Sequence, residues 1–229
     1  MNFFLKLGDY IKLFLINLRA TAFRILEELC VMVRYYPNFR FLLNDCLLIT
    51  QYLWRTPYQE SKKFMQERGE KEIYIYGETP LTTMDLISRQ CGILSQDIVY
   101  EIGCGIGRTA FWLHYFIKCQ VIGIDYQPIF ISRANRIKKW LLLDQIDFFL
   151  KDILEVDFQK ATVLYLYGTS LEEKTVKQLI LRFELLKRGT KIITVSYPLS
   201  DYSNVFHLEK KFMAHFPWGR AETYLNIKK

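Results

Sequence analysis

Two carboxylates bracket three closely spaced glycines in the middle of this chain. Glu101-Ile-Gly-Cys-Gly-Ile-Gly107 follows the apolar run Ile98-Val-Tyr100, and a second apolar run, Val121-Ile-Gly-Ile124, ends in Asp125. Glycine reaches backbone angles closed to other residues and lets a ligand approach the main chain. A carboxylate ending the second strand of a doubly wound sheet is placed to bind a ribose diol. The set Glu101, Gly103, Gly105, Gly107 and Asp125 therefore implies a nucleoside-bearing ligand. A dinucleotide turn has the spacing G-x-G-x-x-G, with the pyrophosphate on the helix N-terminus. Here the sixth position is Arg108, and Glu101 would repel a pyrophosphate. S-adenosylmethionine carries an ammonium and a sulfonium and no phosphate, so it suits an acidic turn. The residues favour it as cofactor over a dinucleotide, and a tight turn with no ligand is the other reading.

Alternating elements must hold these groups. Strands are expected over 97–101, 120–124, 146–150, 161–167 and 191–196, with helices over 108–117, 128–143 and 171–186 between them. Phe206, Leu208, Phe212 and Phe216 share one parity, Pro217-Trp-Gly219 makes a turn, and Ala221, Thr223, Leu225 and Ile227 return as the second arm of a hairpin. This order predicts an α/β fold: a Rossmann-like, seven-stranded mixed sheet flanked by helices. Ligands in such sheets bind beyond the carboxyl ends of the strands. That edge gathers Glu101 to Arg108, Asp125, Asp152, Tyr167 and Ser196-Tyr197.

The first seventy residues read as a helical extension (1–70) before the sheet domain (71–229). Ile11, Leu15, Leu18, Ala22, Ile25, Leu29 and Met32 recur at spacings of three and four, one face of an amphipathic helix. Lys12, Arg19, Arg24 and Glu28 interrupt it too often for a membrane span, which needs about 20 mainly apolar residues. Further helices are expected over 39–54 and 58–68. The extension reads as a cap on the core. A sharper reading, prompted by Phe3, Phe4 and nearby basic residues, is docking on a membrane surface or a partner. It lies outside every cofactor motif, so it is expected to serve docking more than cofactor binding. The net charge of +7 fits an acidic partner without naming one. Five cysteines without CxxC spacing imply free thiols in a reducing cytoplasm and no metal site.

From about Ile73 onward the chain resembles class I S-adenosylmethionine-dependent methyltransferases. Tyr76-Gly-Glu-Thr79, shortly before the glycine turn, is similar to the seven-strand histone lysine methyltransferases. With Leu164-Tyr-Leu-Tyr167 and Leu186-Lys-Arg-Gly-Thr190 it is closer to small mitochondrial and bacterial protein-lysine methyltransferases, which act on membrane proteins. The resemblance implies that Ile75 and Thr79 close over the methionine end of the cofactor, and that Glu101, Gly103 and Gly105 line it. Gly107 would hold the turn. Asp125 would take the ribose, Asp152 the adenine amino group, and Ile153 would lie on the ring. Tyr167 and Glu78 would stand at the reacting centre as catalytic candidates. Equally, Tyr167 could be a packed strand-end aromatic and Glu78 could fix its own loop. The histone enzymes carry adjacent asparagines where this chain has Tyr167-Gly168, so their substrate geometry does not transfer.

Several chemistries are excluded. Tyr167-Gly-Thr-Ser170 lacks the Pro-Pro-aromatic motif of base-amino methyltransferases, and no Pro-Cys occurs, so nucleic acid is not an expected partner. The expected acceptor is a protein lysine. A small molecule is the alternative, and a non-catalytic cofactor-binding interaction module is the alternative of another class.

Overall fold

The computed structural model describes residues 2–70, 76–168 and 171–229, and side chains from residue 12 onward, that of residue 13 excepted. Helices α1 (Asn2–Arg34), α2 (Phe39–Thr50), α3 (Pro57–Glu67) and α4 (Leu81–Cys91) precede the first strand. Then come β1 (Ile98–Ile102), α5 (Arg108–Trp112), β2 (Gln120–Asp125), α6 (Pro128–Trp140), β3 (Ile146–Leu150) and β4 (Val163–Leu166). Helix α7 (Glu173–Phe183), β5 (Lys191–Val195), β6 (Phe206–Phe216) and β7 (Gly219–Lys228) complete the chain.

The seven strands form one sheet in the order β3-β2-β1-β4-β5-β7-β6. The first five are parallel, and β7 runs antiparallel to both β5 and β6. The mixed sheet expected from the sequence is thus present, with the order reversing between β1 and β4. That reversal opens a crevice at the carboxyl ends of the strands.

Strand alternation sends neighbouring residues to opposite faces. Val99, Val163 and Tyr165 face one core layer, with Phe111, Trp112 and Phe130. Tyr100, Ile102, Leu164 and Leu166 face the other, under Val176, Leu179, Ile180 and Phe183 of α7. Val31, Tyr35, Phe41, Leu48 and Tyr52 belong to the first layer. The C-terminal part of α1, and α2 with it, therefore close this face of the core.

Local limits have local causes. Thr56 and Gln59 form a capping box at the start of α3, and Pro57 opens that helix. The helix expected over 108–117 is α-helical only to Trp112; Leu113–Ile117 widens into a π-helical turn that ends at Lys118 in the left-handed region. Asn44 and Asp45 are fully buried on α2, and the partner of Asp45 lies at the glycine turn.

Candidate active site

The turn after β1 is shaped by three left-handed glycines, with φ of 76° at Gly103, 52° at Gly105 and 81° at Gly107. Two of them are also sterically required. A Cβ on Gly107 would stand 2.6 Å from Phe148, and one on Gly105 would stand 3.0 Å from the Tyr76 ring. Gly103 has open space where a Cβ would point, so its backbone is accessible. The Gly103 and Cys104 amides both donate to Ile124 O, at 2.8 and 2.9 Å, which ties the turn to the end of β2.

Glu101 and Asp125 flank this turn. Glu101 is buried at 4% exposure. Its Oε1 accepts from Thr109 Oγ1, and its Oε2 has no partner within the protein. Burial pushes its carboxyl up to about 8; the Thr109 hydroxyl opposes this and Asp125 adds to it. Asp125 Oδ2 accepts from Gly105 N and Oδ1 from Gln127 N, both at 2.9 Å. Burial raises Asp125 too, against the pull of these backbone donors. Its carboxylate is thus held rigidly at the strand end.

A cavity of about 460 Å³ lies beyond the strand ends, and Gly103, Gly105, Asp125, Asp152 and Ile153 line it. Asp152 caps a short 3-10 turn by accepting from Leu154 N at 2.8 Å, which fixes the rim after β3. A small adjoining recess takes in Glu78, Thr79, Glu101 and Tyr165. Thr79 Oγ1 bonds Tyr165 Oη at 2.6 Å. Glu78 accepts from Tyr76 Oη at 2.6 Å, and burial raises its carboxyl above the usual range. The sequence-expected set therefore comes together, except that Gly107 shapes the turn from behind and Ile75 lies outside the described residues.

Three features were not foreseen from the sequence. The first is an aromatic stack. Tyr167 lies flat on Phe216 at 5.1 Å, and Phe216 lies flat on Trp218 at 5.4 Å. Trp218 Nε1 donates to Tyr167 Oη at 2.6 Å. Tyr167 and Trp218 both line the cavity. A large aromatic in a hairpin turn, where small polar residues are the rule, was the signal available. The second is Gly77, where a Cβ would meet the Tyr167 ring at 3.1 Å, so the Tyr76 to Thr79 loop lies against that stack. The third is Arg108, which donates twice to Asp45 (2.8 and 2.9 Å) and twice to Glu28 (2.8 and 3.0 Å). The N-terminal helices thus anchor the first residue of the helix that follows the glycine turn.

The residues present fit S-adenosylmethionine. An unpartnered buried carboxylate oxygen suits an ammonium, and the fixed Asp125 suits a diol. The open backbone at Gly103 allows close approach, and Asp152 with Ile153 offers an acceptor and an apolar surface at the far end.

Comparison with known proteins agrees with this geometry. Residues 99–186 match the family described as a methyltransferase domain. A sterol 24-C-methyltransferase of Saccharomyces cerevisiae is 34% identical over 83 residues, which is 36% of this chain and 22% of that protein. A histone-lysine N-methyltransferase of Dictyostelium discoideum, H3 lysine-79 specific, is 27% identical over 138 residues, 53% of this chain and 7% of that protein. The chain thus spans less than a quarter of the length of these two relatives. Among solved structures, an RNA methyltransferase from Salinibacter ruber in complex with S-adenosyl-L-homocysteine superposes with a TM-score of 0.55 at 21% identity. It covers 66% of this chain and 94% of that one. A magnesium protoporphyrin IX methyltransferase from Synechocystis, with bound S-adenosylmethionine, gives a TM-score of 0.56 at 17% identity over 75% of this chain and 94% of that one. Strand order, glycine turn and matched segment agree: residues 99–186 are similar to a methyltransferase domain, and the chain has the Rossmann-like fold of these methyltransferases solved with S-adenosylmethionine or its product.

Proposed function

We propose that the protein transfers a methyl group from S-adenosylmethionine to the side-chain amine of a protein lysine. The observation that carries the acceptor half of this reading is the wall of Tyr167, Phe216 and Trp218 beside the cofactor cavity. Aromatic faces guide an aliphatic stem and attract a cation by about 0.5–2 kcal/mol. The resemblance of Tyr76-Gly-Glu-Thr79 and the matched stretch of the Dictyostelium enzyme support the same acceptor.

When bound, S-adenosylmethionine supplies a methyl group already activated on a sulfonium. Glu101 offers Oε2 to the ammonium, and Asp125 grips the ribose diol with a carboxylate that two backbone amides keep from rotating. Tyr76, Gly77 and Thr79 cover the glycine turn and exclude water. Tyr167 and Trp218 orient the acceptor; holding two reactants in line lowers a barrier by about 7–11 kcal/mol. A free lysine amine, with a pKa of about 10.4, is mostly protonated at neutral pH. Desolvation against the aromatic wall favours its neutral form. In this reading Glu78, whose carboxyl burial raises, takes the proton.

A small-molecule acceptor is the second reading, favoured by the identity shared with sterol methyltransferases. Incubation of the protein with deuterated-methyl cofactor and a lysate, followed by mass spectrometry, separates the two. Label on protein lysine supports the proposal; label only on a metabolite, or on arginine or carboxylates, overturns it. Absence of any product means a non-catalytic cofactor-binding module. Tyr167→Ala, Trp218→Ala and Glu78→Gln should each lower turnover on the acceptor while cofactor affinity stays within about threefold, or roughly 0.7 kcal/mol.

A further inference from the structure

Helix α1 bonds its acids to the protein body and turns much of its apolar surface outward. Beyond Lys12 it carries just two acids, Glu27 and Glu28. Glu27 accepts from Thr82 N at the start of α4, and Glu28 is bonded to Arg108. Val31, on the same side as Glu27, is fully buried. At about 100° per residue, Leu18, Ile25, Leu29 and Met32 form a stripe on the opposite side of the helix. They are 54%, 57%, 48% and 47% exposed, and Phe14, Leu15, Leu26 and Val33 widen the stripe. Lys12, Arg19, Arg24 and Arg34 are exposed as well. Just past α2, Leu53-Trp54-Arg55 repeats the composition, with Trp54 96% exposed.

We infer that this outer face of α1 docks on an anionic lipid surface. Charge selects the occupant. With both acids bonded to the protein body, the charges that flank the described apolar stripe of α1, Lys12 and Arg19, are basic, as in a helix lying in a membrane interface. A second copy would bring like charges together across the contact, which opposes pairing. No helix among the described residues is long and apolar enough to cross a membrane, so the helix lies on the bilayer. The inference is independent of the methyl acceptor. It supplies a place for the reaction: Arg24 stands 5.6 Å from the Tyr58 ring, and Tyr58 packs edge-on against Tyr76 at the cavity.

The test is flotation of the full chain with vesicles of phosphatidylcholine alone and of equal parts phosphatidylcholine and phosphatidylglycerol. Binding to the anionic vesicles only, weakened by salt, is expected. Lys12→Gln and Arg19→Gln should each weaken it about fivefold. The double variant Leu18→Asp, Ile25→Asp should abolish it, with affinity for S-adenosylhomocysteine unchanged as the measure of correct folding. Equal binding to both vesicles, or binding to neither, overturns the inference. A dimer in sedimentation equilibrium that the double variant dissociates also overturns it, by assigning the face to a second copy. A chain that floats but yields no methylated product leaves the docking inference standing and removes the proposed activity.

Discussion

Glu101→Gln should make the ligand-free protein more robust at alkaline pH and a weaker cofactor binder. Gln keeps the shape and the Thr109 contact but cannot ionise. In the native protein the carboxyl rises from 4.5 to about 8 because it is buried, with one oxygen unpartnered. A pKa raised on folding means the folded state holds the extra proton. The stabilising contribution is complete below about 4.5, declines as pH rises, and is gone above about 8. Over that window the coupling reaches on the order of a few kcal/mol, with roughly 5 as its ceiling. Thermal unfolding of the ligand-free protein across this range should show wild type losing stability more steeply than Glu101→Gln. Asp125 and Glu78, also raised, leave a residual slope in both. Binding of an ammonium reverses the balance by favouring the ionised form. Affinity for S-adenosylhomocysteine should therefore rise with pH toward about 8 in wild type, with proton release on binding. Glu101→Gln should bind about 10- to 150-fold more weakly, the equivalent of a lost charged hydrogen bond of about 1.5–3 kcal/mol. Parallel unfolding curves, or unchanged affinity, would refute the reasoning.

Asp125→Ala should weaken cofactor binding by a similar 10- to 150-fold factor, read by calorimetry on a protein shown to be folded. Arg108→Ala leaves Asp45 buried without its cation, and chemical unfolding should report a loss of about 3–5 kcal/mol. Gly107→Ala combines a φ of 81° with a Cβ 2.6 Å from Phe148, so circular dichroism melts should shift down by more than for Gly189→Ala, which has a similar φ and open space.

The glycine turn and its flanking carboxylates were legible because their signals are local. Glu101, the glycines and Asp125 are marked by strand ends and a turn that needs left-handed residues, and both depend on neighbours in sequence. The third strand matches residue for residue at Ile146–Leu150, where apolar residues end against Lys151-Asp152. The helix after the glycine turn was less legible: nothing in Leu113 to Ile117 announces a π turn, which forms as the chain leaves the core through Lys118. The aromatic stack was hidden because Trp218 reaches Tyr167 across 51 positions. The hairpin parity placed Phe216 inward without saying what it would stack against. Arg108 looked like a mere departure from the dinucleotide spacing, because its partners stand 63 and 80 positions earlier.

Those separations bear on how the chain is made. Synthesis, at about 5–20 residues per second, delivers α1 and α2 before the surface they close has been translated. Glu28 and Asp45 have no counter-ion until Arg108 emerges, and Val31, Phe41 and Leu48 have no sheet to cover until β1 and β2 pair. Contacts of such long range are late events in folding, since the loop must be closed before they form. During that interval the nascent segment presents both its inner and its outer apolar faces. The ribosome-bound chain is therefore a better client for a chaperone or a bilayer than the finished protein.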